Sequence, residues 1–202
     1  MSFSDMSLIL LSFFALMLSV SRVDKQKFEN VHEGMNAKTA DDMQKRTRNL
    51  KSIAAELQAE ITKRKLNEQA KVFFDSEGVA IEFSDKLVFP SGSASPNQEF
   101  VHVTDQVMAI IAASTERYDI RFEGHTDDTP LSGKGDFKSN WDLSSARALA
   151  LLRQLRDRGV SEGRMSLSSY AHTKPKVSLE GKQGAALERA RAANRRVVIK
   201  IE

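Results

Sequence analysis

The stretch Tyr118–Asp127, YDIRFEGHTD, changes character half-way along. Tyr118, Ile120 and Phe122 alternate with Asp119, Arg121 and Glu123, the period of a strand with one buried and one wet face. At Gly124 the alternation stops and a polar loop begins, which runs to Asn140. Asp127 therefore stands just past a strand end, in a loop, where functional side chains tend to sit.

Working outward, residues 142–158 place Ala146, Leu149, Leu152 and Leu155 on one helical face, with Asp142 expected as the cap and Gly159 as the stop. Met165, Leu167 and Ser169 predict another strand, residues 184–194 an Ala-rich helix, and Val197, Ile199 and Ile201 a last strand. On the other side, residues 97–116 read as one helix through Phe100, Val103, Val107, Ile110 and Ile111. Phe89–Ser93 reads as a loop by its Pro and Gly, and Val79, Ile81 and Phe83 as a strand. The order βαβαβαβ predicts an α+β domain over 72–202, a sandwich with helices packed on one mixed sheet.

Residues 25–71 are polar and helical in pattern. Met43, Leu50 and Leu57 recur every seven residues, with Ala54 and Ile61 between them. Two readings stay open: a parallel pair of membrane-proximal helices, or a solvated linker helix. Before it lies the one long apolar run of the chain, Phe3–Asp24, FSDMSLILLSFFALMLSVSRVD. Phe3–Val20 would make about 27 Å of helix at ~1.5 Å per residue, close to the roughly 30 Å of a bilayer core. Residues 1–24 are expected to form a single transmembrane helix. Ser19-Val20-Ser21 would suit a signal-peptide cleavage site, but no Lys or Arg precedes the run and Asp5 does, which favours an anchor. Arg22, Lys25 and Lys27, by the positive-inside rule, would put the following domain in the cytoplasm, although Asp24 and Glu29 offset them.

The chain has no cysteine, so it has neither disulfides nor a thiolate metal site. A net charge of +3, with basic residues scattered among acids, argues against nucleic-acid binding. The chemistry gathers around Asp127. Asn140, Leu143 and Arg147 follow at i, i+3 and i+7 on one side of a helix, and Arg195 and Arg196 open the last strand. An acid and an arginine facing one pocket suit a zwitterion: Asp127 takes an ammonium and Arg147 forks a carboxylate. A surface Asp–Arg ion pair is the plainer reading of the same residues. His125, Asp127 and Asp128 lack the helical spacing of a metal site. Phe89–Ser93 lacks a nucleophile elbow. Binding without enzyme activity is expected, with no cofactor.

Gly124-His125-Thr126-Asp127, Asn140, Leu143-Ser144, Arg147-Ala148, Gly159, Pro175 and Asn194-Arg195-Arg196-Val197 together resemble the OmpA-like peptidoglycan-binding domain over residues 78–202. That resemblance implies that Asp127 and Arg147 hold the amine and carboxylate of diaminopimelate in the stem peptide, with Asn140, Leu143 and Arg195 as neighbouring contacts. The insert Pro130–Ser139 lengthens the loop relative to that family. Phe3-Ser4-Asp5-Met6, Phe13-Phe14, Leu18-Ser19, Ser21, Asp24 and Lys27-Phe28, with the GVAIEF, FPSGSA and NWDLS pieces, resemble the MotB/PomB stator subunits of the flagellar motor. The resemblance implies an inner-membrane, single-pass homodimer with a periplasmic wall domain, partnered by MotA/PomA-like subunits. It implies H+ or Na+ transfer at Asp5 and a plug over residues 25–40 with Phe28, Val31 and Met35 on its face. Read without the resemblance, Asp5 is a helix N-cap at the membrane interface, and residues 25–40 are ordinary linker. That family carries a cytoplasmic, often basic, segment before the helix; here only Met1 and Ser2 precede Phe3, which reads as a shortened start. Two further readings share these motifs: a non-conducting membrane-to-wall tether, and a stator-like pair serving a non-motility system such as antiphage defence.

Overall fold

The computed structural model describes residues 3–20, 49–114, 118–131 and 135–202, and in the first of these the side chains of 5–14. The plug candidates Phe28, Val31 and Met35, and the heptad residue Met43, lie outside the described residues. Two compact units divide the chain, Met1–Arg48 and Asn49–Glu202.

The first unit contributes helix α1, Phe3–Val20. Its described large apolar side chains, within residues 5–14, are all more than half exposed, from Phe13 at 54% to Leu11 at 68%. Among the described residues, no helix is long and apolar enough to cross a membrane.

The second unit opens with helix α2 over residues 49–63. Leu50, Ala54, Leu57 and Ile61 are buried along one face of it, while Lys51, Glu56 and Lys63 on the other sides are exposed. The heptad positions thus pack into the core of their own unit, beside Ile81, Phe122 and Ile199 of the sheet. Strands β1 (Ala70–Phe74) and β2 (Val79–Ser84) form an antiparallel hairpin. The turn is closed by the Asp75 carboxylate, which accepts from the N–H groups of Glu77 and Gly78 at 2.8 and 3.0 Å. A one-turn helix α3 (Asp85–Val88) follows, and then α4 (Gln98–Val103), α5 (Asp105–Ser114), β3 (Ile120–His125), α6 (Asn140–Arg156), β4 (Met165–Ala171), α7 (Gly184–Asn194) and β5 (Arg196–Ile201).

The sheet runs β1-β2-β5-β3-β4, with every neighbour antiparallel except β3 and β4. The expected mixed α+β sheet is therefore present, with β1 as a fifth strand where the sequence pattern ran on as helix to residue 71. Val79, Ile81 and Phe83 of β2, Ile120 and Phe122 of β3, and Val197, Ile199 and Ile201 of β5 all turn to the core. The helices α2, α5 and α6 supply Leu57, Ile61, Met108, Ile111, Leu151 and Leu155 against them. Each of these side chains is wholly enclosed, which is worth about 1.5–3 kcal/mol for a fully buried Leu, Ile or Met.

Two local expectations change. The helix over 97–116 is split at Thr104, whose hydroxyl donates to the Phe100 carbonyl at 2.6 Å alongside its own N–H at 2.9 Å. A threonine bonding back on the previous turn bends a helix in this way. The cap of α6 is Ser139 and not Asp142: the Ser139 hydroxyl accepts from the Asp142 N–H at 3.2 Å and donates to its carboxylate at 3.0 Å. The acid at the third helical position thus holds the capping hydroxyl in place. Gly159 ends the helix as expected, at φ +86°, a conformation glycine adopts without steric cost.

Candidate binding cleft

The cleft is set by how closely α6 lies on β3. A side chain at Gly124 would meet the Ser144 carbonyl oxygen at 2.0 Å, so only glycine admits this contact. Ser144 is on the buried face of α6 and its hydroxyl joins that of Ser169 on β4 at 2.6 Å. The helix start is thereby fixed over the end of β3, and its Asn140, Leu143 and Arg147 face the loop that carries Asp127. Asp127, Asn140, Leu143, Arg147 and Arg195 all line one cleft of about 520 Å3, together with Asp85, Phe89 and Thr129.

The loop is held from inside. The Asp127 carboxylate accepts from the Thr129 N–H at 3.0 Å, and Asn140 donates to the carbonyls of Asp127 and Thr129 at 3.3 and 3.0 Å. The Thr126 N–H donates to the carbonyl of Ala171 at 2.8 Å, tying the loop to the end of β4. Ala171 is buried there with φ +47°, a left-handed conformation unusual for alanine.

Seven charged side chains line the cleft, and four of them form its two inner ion pairs. Asp127 pairs with Arg195. Arg147, only 2% exposed, has its Nη1 2.7 Å from Asp85 Oδ1 and donates from Nε to the Ser93 carbonyl at 3.0 Å. Its guanidinium also lies over the Phe89 ring, 5.1 Å from the centroid. Burial pushes the Asp85 carboxyl up from its ordinary range, against the pull of Arg147 and Arg195. Burial likewise lowers Arg147, with Asp85 acting the other way. At the rim, Arg191 of α7 grips Asp128 with two bonds of 2.8 and 3.1 Å and also reaches Glu188.

The sequence reading missed Asp85, although it stands just past the end of β2 as Asp127 stands past the end of β3. It also gave Asn194 no role. That side chain is 1% exposed and is a structural pin: its oxygen accepts from the N–H groups of Lys176 and Val177, and its amide donates to the Val177 carbonyl. His125 is buried against Tyr170, with ring centres 5.2 Å apart, and takes no place in the cleft lining. Asp5 lies in the other unit, exposed on the first turn of α1.

A mixed sheet with this cleft at its loop end defines a class. The chain belongs to the OmpA family, whose model matches residues 88–197. A second model, described as the membrane MotB of the proton-channel complex MotA/MotB, matches residues 1–38. The resemblance drawn from the sequence, to MotB-type chains ending in an OmpA-like domain, holds on both counts. Motility protein B of Bacillus subtilis (strain 168) is 29% identical over 153 residues, 75% of this chain and 56% of that protein. The chain thus spans little more than half the length of that relative. Among solved structures, the periplasmic domain of Helicobacter pylori MotB (residues 90–256) is similar at 28% identity with a TM-score of 0.56, over 66% of this chain and 78% of that one. A MotB-like protein from Desulfovibrio vulgaris shares the fold at 20% identity with a TM-score of 0.67, over 79% and 94%.

Proposed function

We propose that this chain is the B-type subunit of an ion-driven flagellar stator, which passes H+ or Na+ at Asp5 and anchors the complex to peptidoglycan through its cleft. The observation that carries the reading is the combination in one chain of a MotB-type segment over residues 1–38 with an OmpA-family domain. The span takes in the sequence from Met1 to Asp24, of which α1 is the described part, and puts the second unit in the periplasm. An apolar helix exposed on all its described sides calls for hydrocarbon or partner helices around it. A carboxylate in that setting is costly unless a proton or a cation neutralises it, which makes Asp5 suited to carry one ion per step. Two copies pair through this segment inside a set of MotA/PomA-like subunits. Phe28, Val31 and Met35 form the face of a plug that closes the path until the wall is reached.

At the wall, the ammonium of diaminopimelate meets Asp127 and its carboxylate meets the free Nη2 end of Arg147. Arg195 gives up its hold on Asp127 as the ligand arrives, and Asn140 and Leu143 complete the walls of the cleft. The net charge of the four groups is zero, so a zwitterion replaces like with like. Ion flux through the chain co-expressed with its membrane partner, with residues 25–40 deleted, tests the conducting half. The expected result is flux that depends on Asp5 and vanishes in Asp5→Asn. Flux unchanged in that variant would remove Asp5 from the path, and no flux in the parent would leave a plain wall tether.

A further inference from the structure

Arg147 is the residue that the wall-binding reading assigns to the ligand carboxylate, yet its guanidinium is largely engaged by the protein itself. Its Nε is taken by the Ser93 carbonyl, its Nη1 faces Asp85, and the Phe89 ring closes one face. Nη2 has no hydrogen-bond acceptor among the described residues. A guanidinium carries five N–H donors in a rigid plane, so fixing one edge fixes where the other edge points. Asp85 is itself held: its N–H donates to the Arg195 carbonyl at 3.1 Å and its carbonyl accepts from the Phe89 N–H at 2.8 Å. Its side chain lines the same cleft and is 8% exposed.

We propose that Asp85 is a positioning residue that aims Arg147 and so sets the preference of the cleft for stem peptides carrying a carboxylate at the third residue. The inference rests on the wall-binding reading of the cleft. Asp85 compensates the buried charge of Arg147 and, with the Ser93 carbonyl, leaves only the Nη2 end for a ligand. A diaminopimelate side chain ends in both an ammonium and a carboxylate; a lysine side chain ends in the ammonium alone. Both can reach Asp127, but only the first uses Arg147. Loss of Asp85 therefore weakens the first ligand more than the second. A general loosening of the fold would weaken both alike.

The test uses the full chain in detergent and two synthetic muramyl tripeptides, one ending in meso-diaminopimelate and one in lysine. The wild type should prefer the diaminopimelate fragment. Asp85→Asn should lose about tenfold in affinity for it, the scale of one charged contact, and a smaller factor for the lysine fragment. If Asp85→Asn does not fold, Asp85→Glu keeps the charge but sets it one methylene out of place, and should narrow the same preference. A preference retained in the variant that folds, or tighter diaminopimelate binding in Asp85→Asn, would overturn the positioning role. No preference in the wild type would instead overturn the wall-binding reading, and this inference with it.

Discussion

Helices α1 and α2 are both rich in apolar residues, and they end in opposite surroundings. In α2 the apolar positions fall at Leu50, Ala54, Leu57 and Ile61, one stripe, and all four are buried in the core of the C-terminal unit. In α1 the apolar residues go all round, and Met6, Leu8, Ile9, Leu10 and Leu11 are each more than half exposed. The difference lies in the pattern and not in the amount of hydrophobicity. A stripe can be buried by one neighbour, whereas a helix apolar on every side needs an apolar medium. Under the proposed function, α1 is the helix for the membrane and α2 is part of the wall-binding unit.

The contrast can be broken by mutation. Leu57→Ala should cost the C-terminal unit ~2–5 kcal/mol, the range for emptying a fully buried leucine site, while Leu10→Ala should leave the unfolding of that unit within about 0.5 kcal/mol of the parent. Urea unfolding followed by circular dichroism checks both. Equal effects would mean that α2 does not belong to the core. Within the C-terminal unit, Gly124→Ala should cost ~1–3 kcal/mol or more, because the added methyl meets the Ser144 carbonyl at 2.0 Å and must push α6 off β3. It should also reduce sedimentation with sacculi, because Arg147 then moves away from Asp127.

The smallest effect is one of pH. Burial lowers the His125 pKa from its ordinary 6.5, with Glu123 opposing and Arg196 assisting. The unfolded chain thus takes up a proton that the folded chain refuses. Stability falls as pH drops through 6.5 and levels off only below the folded value. The groups facing this ring are Glu123, Glu82, Arg196 and Tyr170. The Glu123 carboxyl is itself held below its ordinary 4.5, and loses its contribution only in more acid solution. Replacing His125 with Gln should flatten the decline below about pH 6.5, and an unchanged slope in denaturant titrations would assign it to another group.

Much of the fold was legible because alternation survives wherever a strand has one buried face. Val79–Phe83, Ile120–Phe122 and Val197–Ile201 show it plainly. The strand β1 does not, since it is an edge strand on which Phe73 and Phe74 stay 40% and 52% exposed; the Asp75–Gly78 turn was its only local sign. The burial of α2 could not be read either, because a stripe at Leu50, Ala54, Leu57 and Ile61 serves equally for a second helix or for a sheet. In the cleft, the spacing of Asn140, Leu143 and Arg147 brought one wall together, and Asp127 followed from its strand end. Asp85 sits 62 residues before Arg147 in a one-turn helix, and only the tertiary fold joins them.

The central claim is that the cleft grips the wall through Asp127 and Arg147. Its most direct test is co-sedimentation of the detergent-solubilised full chain with purified sacculi. The parent and Asp5→Asn should pellet alike, while Asp127→Ala and Arg147→Ala, shown to be folded by circular dichroism, should stay in the supernatant. Retained binding by both cleft variants would contradict the claim.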